Sequence, residues 1–483
     1  MRTPVVLRYI GMILILNGAF MALAALIALL HEGDSSFVPL VISAALTIAT
    51  GLCPLVFIRP EANISNKEGY YIVVLAWVVC CFFGMLPYLL WGGEFTPVNA
   101  WFESVSGYTT TGSTILNNIE ALPKGLLFFR ACTGWIGGLG VVVFMMLLLP
   151  TIKNMKMRLA KVEISHLSKD NFKYRLQQTA HIIIGVYAGL TLLEFLLLWM
   201  AGMSPFDAIT HTFSTVSSCG FSTKNNSILF YDSVAINSIV MVFMYAAGLH
   251  FGLIFLAISG HHRQFFRSPV VRFYTLLMLI GVVCVSVDLY FGQGNYAHWS
   301  DALHHGAFQV VATASTTGFA IADTTVWPAF SILLLIYFSL QCACSGSTSG
   351  GIKADRMLIL FQSIKTHIKK LQHPNAVIST RLGNATIDND MMSSVAVFVL
   401  LYILIVFVVT LFLSFCGIDM LSAFSSTVAV IGNVGPGYGE MAGSMGNFAG
   451  FPAIVKLVLS FTMLLGRLEI YGIIVIFFIR SWK

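Results

Sequence analysis

NAWFESVSGYTTTG, residues 99–112, ends in three threonines and a glycine, and its pattern occurs four times. Written back from the terminal glycine, DAITHTFSTVSSCG (207–220), HGAFQVVATASTTG (305–318) and SAFSSTVAVIGNVG (422–435) align with it without gaps. The second position is small in every copy: Ala100, Ala208, Gly306 and Ala423. The glycines lie roughly a hundred residues apart, a period that defines the repeating unit. Each segment is moderately apolar and shorter than the ~20 residues that cross a bilayer. Each is also flanked by longer apolar runs. The unit therefore reads as span, short helix, glycine strand, span.

The flanking runs decide the class of protein. Of 483 residues, 57% are hydrophobic and 10% charged, whereas a soluble domain carries about 25% charged residues. Apolar spans are read near 8–30, 37–58, 70–92, 125–150, 178–201, 234–259, 271–292, 326–344, 393–416 and 452–479. The expected fold is an all-α polytopic membrane protein: four span–pore helix–span repeats around one pore, plus two N-terminal transmembrane helices. The expected divisions are 1–67 for those two helices, then 68–165, 166–268, 269–385 and 386–483 for the four repeats. The first apolar core exceeds the ~7–15 residues of a signal peptide, so it is read as a retained span. Nine scattered cysteines offer neither a CxxC pair nor a disulfide framework. They read as small buried hydrophobes.

Basic residues assign the sides. Arg59, Lys67, Lys153, Lys156, Arg158, Lys161, Lys169, Lys173, Arg175, Arg263, Arg267, Arg272, Arg356, Lys365, Lys369, Lys370 and Arg381 follow even-numbered spans. Loops after odd-numbered spans hold Lys124 and Lys224, with acids including Glu94, Glu103, Asp207, Asp301, Asp323, Asp419 and Glu440. Both termini are therefore expected in the cytoplasm. The basic excess at 153–175 reads as a topology signal that could also dock a cytosolic partner.

Irregular backbone at membrane depth survives only inside protein or along a water-filled cavity. A short helix entering from outside brings its partially negative C-terminus to mid-membrane. Glycine then permits backbone angles that other residues resist. Four such strands around one axis would present rings of oxygens that replace a cation's water shell. Without a carboxylate cluster, the chemistry suits a monovalent ion rather than Mg²⁺ or Ca²⁺. It does not by itself separate K⁺ from Na⁺. Glu194 and Asp288, in or near apolar spans, are candidates for ion coupling, with structural or cavity-facing roles preferred.

A second segment, CSGSTSGGIKADR (344–356), interrupts the third repeat's second span. A phosphate-binding loop needs Lys directly after its second glycine, but Ile352 intervenes between Gly351 and Lys353. Gly346, Gly350 and Gly351 weaken a helix by ~1 kcal/mol each, and Ser345, Ser347, Thr348 and Ser349 can hold a non-helical path. An unwound segment is expected below the glycine strands. The last span carries Arg467 and Glu469 beside Gly466. A fixed positive charge facing the pore there would oppose cation passage.

The fourfold unit with one glycine per strand, together with GNVGPGYG (432–439) and SGSTSGGIK (345–353), resembles the Trk/Ktr/HKT superfamily of potassium and sodium transporters. The two extra N-terminal spans point to its bacterial Trk membrane subunits, and the resemblance covers essentially the whole chain. It implies a K⁺ filter made by Thr110, Thr111, Gly112 and Ser113; Ser218, Cys219, Gly220 and Phe221; Thr316, Thr317, Gly318 and Phe319; and Asn433, Val434, Gly435 and Pro436. Glycine rather than serine at 112 favours K⁺ over Na⁺ in this superfamily. The resemblance also implies a gate built from residues 345–352 and Arg467, with Lys353 as a neighbour. It further implies a homodimer in the bacterial inner membrane, contacting lipid. No covalently bound cofactor and no nucleic acid are expected. K⁺ is the transported ion, and ATP or NADH would act only through a cytosolic, TrkA-like nucleotide-binding regulatory subunit. A Na⁺-permeable or H⁺/Na⁺-coupled secondary transporter shares this architecture and stays open. An enzyme is disfavoured: His261–His262 and His304–His305 fall on opposite sides of the membrane, and neither HExxH nor a Cys/His cluster occurs.

Overall fold

The computed structural model describes residues 2–59, 66–148, 176–292, 296–373, 375, 379–383 and 385–478. Among these, secondary structure is helical apart from one hairpin, Arg381–Leu382 paired with Ala385–Thr386, and a single parallel bridge between Gln341 and Ile352. The basic stretch 153–175 lies outside the described residues.

Two N-terminal helices, Thr3–Leu29 and Phe37–Phe57, pack through glycine. A Cβ on Gly11 would lie 2.6 Å from the Gly51 carbonyl oxygen, and one on Gly51 2.8 Å from that of Gly11. Small residues that let backbones approach are how helices adhere in lipid, where apolar burial gives no advantage.

Four span–pore helix–span repeats follow. The outer helices are Asn66–Gly84 continued by Leu86–Trp91, then Leu176–Met200, Pro269–Phe291 and Asn389–Phe415. The pore helices are Pro97–Tyr108, Pro205–Val216, Trp299–Ala314 and Met420–Ile431. Three of them start at a side-chain cap: Thr96, Ser204 and Asp419 accept the N–H of Asn99, Asp207 and Ser422. Pro97 and Pro205 reinforce two of these starts with a preset φ.

Polarity runs opposite to that of a soluble protein. Leu276, Leu279, Ile280, Val283, Leu400, Ile403, Leu404 and Phe407 are exposed, while Ser104, Ser106, Thr109, Thr212, Ser214, Thr215, Ser425 and Ser426 are buried. The apolar side chains face outward, and the hydroxyls line the interior. Six described helices are long and apolar enough to cross a membrane, or seven counting one bent pair as a single span.

Three of the four inner helices are broken. The first, Lys124–Leu148, is one helix. The second breaks into Val234–Ala247 and Phe251–Ile258, bent by 108°. His250 makes that break by capping the second half, its ring nitrogen accepting the Gly252 N–H at 3.0 Å. The third, Ala329–Leu340, stops and resumes as Ala354–Gln372. The fourth breaks between Ala453–Arg467 and Tyr471–Phe478, with Glu469 and Ile470 at φ of 54° and 52°. The expected continuous runs 234–259 and 452–479 are therefore corrected. In each, local turn and capping chemistry overrides an apolar composition that favours helix.

Candidate functional site

All four pore helices end the same way. The N–H groups of Thr111, Cys219, Thr317 and Val434 reach back to the carbonyls of Ser106, Ser214, Ala312 and Ala429 at 2.8–2.9 Å. Those of Thr110, Ser218, Thr316 and Asn433 reach Gly107, Thr215, Thr313 and Val430 at 2.9–3.2 Å. This paired closure needs a left-handed residue, usually glycine. Here Thr110, Ser218, Thr316 and Asn433 fill it, at φ of 53°, 57°, 61° and 54°. For β-branched threonine that conformation is a costly outlier. The same strain at four equivalent positions points to function.

Two residues later come Gly112, Gly220, Gly318 and Gly435, at φ of 80°, 78°, 74° and 108°. They close a ring. A Cβ on Gly112 would lie 1.9 Å from the Cys219 carbonyl oxygen, on Gly220 1.8 Å from Thr317, on Gly318 1.9 Å from Val434, and on Gly435 2.5 Å from Thr111. The contacts run from repeat one to two, three, four and back to one. The seam between repeats four and one is tied by side chains. Asn433 Nδ2 donates to Thr111 Oγ1 at 3.0 Å, and Ser113 Oγ donates to the Gly435 carbonyl at 2.8 Å. Four helix C-termini, each with partial negative charge, meet at this ring.

The interruption in the third inner helix lies against the ring. Thr348 Oγ1 is 2.9 Å from Ser218 Oγ, and the Gly350 N–H donates to Thr316 Oγ1 at 3.2 Å. Arg467, 3% exposed, donates to the Thr348 carbonyl at 2.6 Å and to the Gly137 carbonyl of the first inner helix at 3.0 Å. One guanidinium therefore links the loop, the first inner helix and the fourth. Within the loop, Ser345 donates to Asp355 through both N–H and Oγ, and Ser347 Oγ donates to the Cys344 carbonyl. Lys353 folds its ammonium back onto the Ser349 carbonyl. The Ile352 N–H bonds the Leu340 carbonyl, and the Gly351 Cα faces Cys342.

Sequence reasoning missed three parts. The loop rests on the break in the second inner helix: the Cys344 N–H donates to the Gly248 carbonyl, the Phe251 N–H donates to the Gly346 carbonyl, and Gly346 sits against the His250 ring. The signal was GLHFG (248–252), a polar and glycine-rich interval in an apolar run. The second part is a buried ion pair behind the ring, Glu103–Arg130 at 2.6 Å, with side chains 0% and 2% exposed. Arg130 also donates to the Ser222 carbonyl and stacks 3.6 Å from the centre of the Phe221 ring. The third is the left-handed position two residues before each glycine, visible in the alignment as Thr, Ser, Thr, Asn.

Asp288 accepts from the Ser331 N–H and Oγ at the start of the third inner helix, a structural role. Glu194 is fully buried in the second outer helix, close to Thr215 of the second pore helix. No group of three or more metal-binding His, Cys, Asp or Glu side chains occurs among the described residues.

Fold and ring together define a polytopic membrane transport protein built from four pore repeats. A family model for TrkH, cation transport protein, matches residues 40–482. The chain is 36% identical to the Trk system potassium uptake protein TrkH of Salmonella typhimurium, over 99% of this chain and 98% of that protein. It is 34% identical to the protein of the same name from Halomonas elongata, over 100% of both. The crystal structure of the potassium transporter TrkH from Vibrio parahaemolyticus superposes with a TM-score of 0.90, at 32% identity and 100% coverage of both chains. The chain belongs to the TrkH family of cation transport proteins, membrane transporters rather than enzymes.

Proposed function

We propose that this chain is a potassium-uptake pore of a bacterial inner membrane, with a selectivity filter at the glycine ring and a gate at residues 345–352. The ring carries the reading: four carbonyls and four helix C-termini meet at one level, with no room for a side chain. Such oxygens replace the hydration shell of a monovalent cation. The filter comprises Thr110 to Ser113, Ser218 to Phe221, Thr316 to Phe319 and Asn433 to Pro436. An interior-negative membrane supplies ~2.3 kcal/mol per charge per 100 mV, which drives uptake without hydrolysis in this chain.

The pore helices enter from outside and both termini are cytoplasmic, following the basic loops. The repeat boundaries are those given by the sequence, and a homodimer with one pore per subunit is the expected assembly. The relatives are named as components of a Trk system. A cytosolic nucleotide-binding subunit is the partner this reading assigns, so nucleotides would act through it.

The loop and Arg467 form a barrier, because a fixed guanidinium below the ring repels an arriving cation. Deleting 346–351, or Arg467→Ala, is expected to raise ⁸⁶Rb⁺ uptake into proteoliposomes about tenfold, the effect of lowering a barrier by ~1.4 kcal/mol. Unchanged flux in both folded variants would sink the gate. A coupled-transporter reading draws on Glu194, a carboxyl buried within a membrane span. Reversal potentials under K⁺, Na⁺ and pH gradients decide. A potential that follows K⁺ alone supports the pore, and one that moves with pH supports coupling.

A further inference from the structure

We propose that His211 is a positioning residue of the ion path. As a neutral ring it braces the glycine strand of repeat two from behind, and when protonated from the outer face it becomes a fixed positive charge that slows cation passage. This rests on the pore reading above and adds a control to it.

The aligned copies place His211 in a set. Their fifth position holds Glu103, His211, Gln309 and Ser426, all buried on pore helices. In the first two repeats this side chain holds the strand residue two beyond the glycine. Thr114 Oγ1 donates to Glu103 at 3.0 Å, and His211 Nε2 lies 2.9 Å from Ser222 Oγ. In the other two repeats that strand residue is Ala320 or Gly437, with no polar side chain to hold. Gln309 and Ser426 carry no titratable group, and Glu103 is paired with Arg130. His211 is the brace whose charge changes near neutral pH.

Its partners fix the tautomer. The Asp207 carbonyl, 2.8 Å from Nδ1, can only accept, so Nδ1 carries the hydrogen. In the neutral ring Nε2 therefore accepts from the Ser222 hydroxyl. Ser222 Oγ in turn accepts the Lys224 N–H at 3.0 Å, and the Ser222 carbonyl accepts from Arg130 at 3.1 Å. Protonation turns Nε2 into a donor. The Ser222 hydroxyl hydrogen then loses its acceptor, and a positive charge appears on a side chain 0% exposed behind the strand.

A cavity leads toward this corner. About 840 Å³ in volume, it lies between residues 30–35, residues 120–124 and the start of the second pore helix, and Asp207, Thr223 and Lys224 line it. Asp207 stands one turn before His211 and accepts from Thr223 Oγ1 at 2.7 Å. Burial opposes the charged ring, the Asp207 carboxylate favours it and the Lys224 ammonium opposes it. The Tyr231 ring stands edge-on at 5.5 Å, and the Phe319 ring of repeat three lies at 5.9 Å. The first inner helix brings Arg130, held by Glu103, and Lys124, set over the Phe206 ring. The second outer helix brings Glu194, close to Thr215, and Val234–Ala247 adds no charged residue. The sign follows: acid charges the ring, and a like charge beside the path raises the barrier to a cation.

The test is single-channel K⁺ current through the full chain in planar lipid bilayers at clamped voltage, acidifying one chamber and then the other. Acidifying the outer chamber from about pH 7.5 to about pH 5, across the ordinary imidazole range near 6.5, is expected to lower the current about fivefold with no change in reversal potential. The same change in the opposite chamber is expected to have less effect. His211→Gln installs the residue that repeat three carries at the equivalent position. Normalised to its own current at the higher pH, it is expected to fall by less than about twofold, because the amide does not titrate. Asp207→Asn removes the carboxylate that favours the charged ring, so its half-fall is expected at lower pH, a readout that stands even if His211→Gln does not fold. A parent current insensitive to acid overturns the proposal, as does a fall of equal size from both chambers. So does a His211→Gln channel that keeps the parent's fall, or an Asp207→Asn half-fall that stays or moves up. A reversal potential that moves with pH also overturns it and assigns the effect to coupled protons. Failure of the pore reading shows separately, as parental flux in Gly220→Ala.

Discussion

Gly220→Ala reduces ⁸⁶Rb⁺ uptake by roughly a hundredfold or more, since a barrier higher by about 2.7 kcal/mol suffices for that factor. Two effects combine at this position. At φ of 78° an L side chain is strained. In addition, the new Cβ would lie 1.8 Å from the Thr317 carbonyl oxygen, where real Cβ contacts essentially never fall below 3.0 Å. That oxygen belongs to the backbone of the neighbouring repeat and cannot swing aside alone. Either the Thr317 carbonyl leaves the ring or the strand after Ser218 is displaced. Both break the ring of carbonyls proposed to replace the ion's water. Gly185→Ala is the control: it lies on the exposed face of the second outer helix with nothing within 4 Å of its Cβ. It should fold at least as well as the parent and retain uptake. Uptake by Gly220→Ala above a tenth of the parent's would exclude the ring as the conduction path.

Arg130→Ala lowers stability by about 3–5 kcal/mol, the usual result of leaving one partner of a buried ion pair unpaired. Glu103 would remain, 0% exposed, with only the Ile115 N–H and the Thr114 hydroxyl to satisfy it. The Ser222 carbonyl would lose its donor, and Phe221 would lose the guanidinium stacked on its face. The double variant Glu103→Gln/Arg130→Ala should recover part of the loss, because the stranded charge is gone. Thermal unfolding in detergent measures both. The glycine strand of repeat two should also loosen, so on the proposed filter reading Na⁺ permeability relative to K⁺ rises in the double variant. A double variant as unstable as the single one would show that packing, not charge, is what Arg130 supplies.

The repeats were legible because their signal is positional. Four gapless copies place small residues and glycines in register, and apolar length marks the spans between them. What escaped was chemistry between distant segments. Glu103 and Arg130 stand 27 residues apart, and only packing of the first pore helix on the first inner helix joins them at 2.6 Å. His250 is one polar residue in an apolar run, yet it caps a new helix and supports Gly346 of the next repeat. The interruption at 345–352 was visible because three glycines and four hydroxyl residues oppose helix together. The break after Arg467 contains no comparable cluster. Leu468, Glu469 and Ile470 do not oppose helix by composition, and the left-handed turn at 469–470 emerges only in the fold.

Only the approach between repeats four and one is looser than the others: a Cβ on its glycine would lie 2.5 Å from the neighbouring carbonyl oxygen, against 1.8–1.9 Å elsewhere, and hydrogen bonds from Asn433 and Ser113 stitch it. A ring assembled from four identical chains has no such odd corner, and any replacement in it is copied four times. A ring spelled out once along a single polypeptide can be altered one quadrant at a time. One codon then changes one oxygen environment in four, so ion preference can drift in small steps while the other three quadrants hold the pore together.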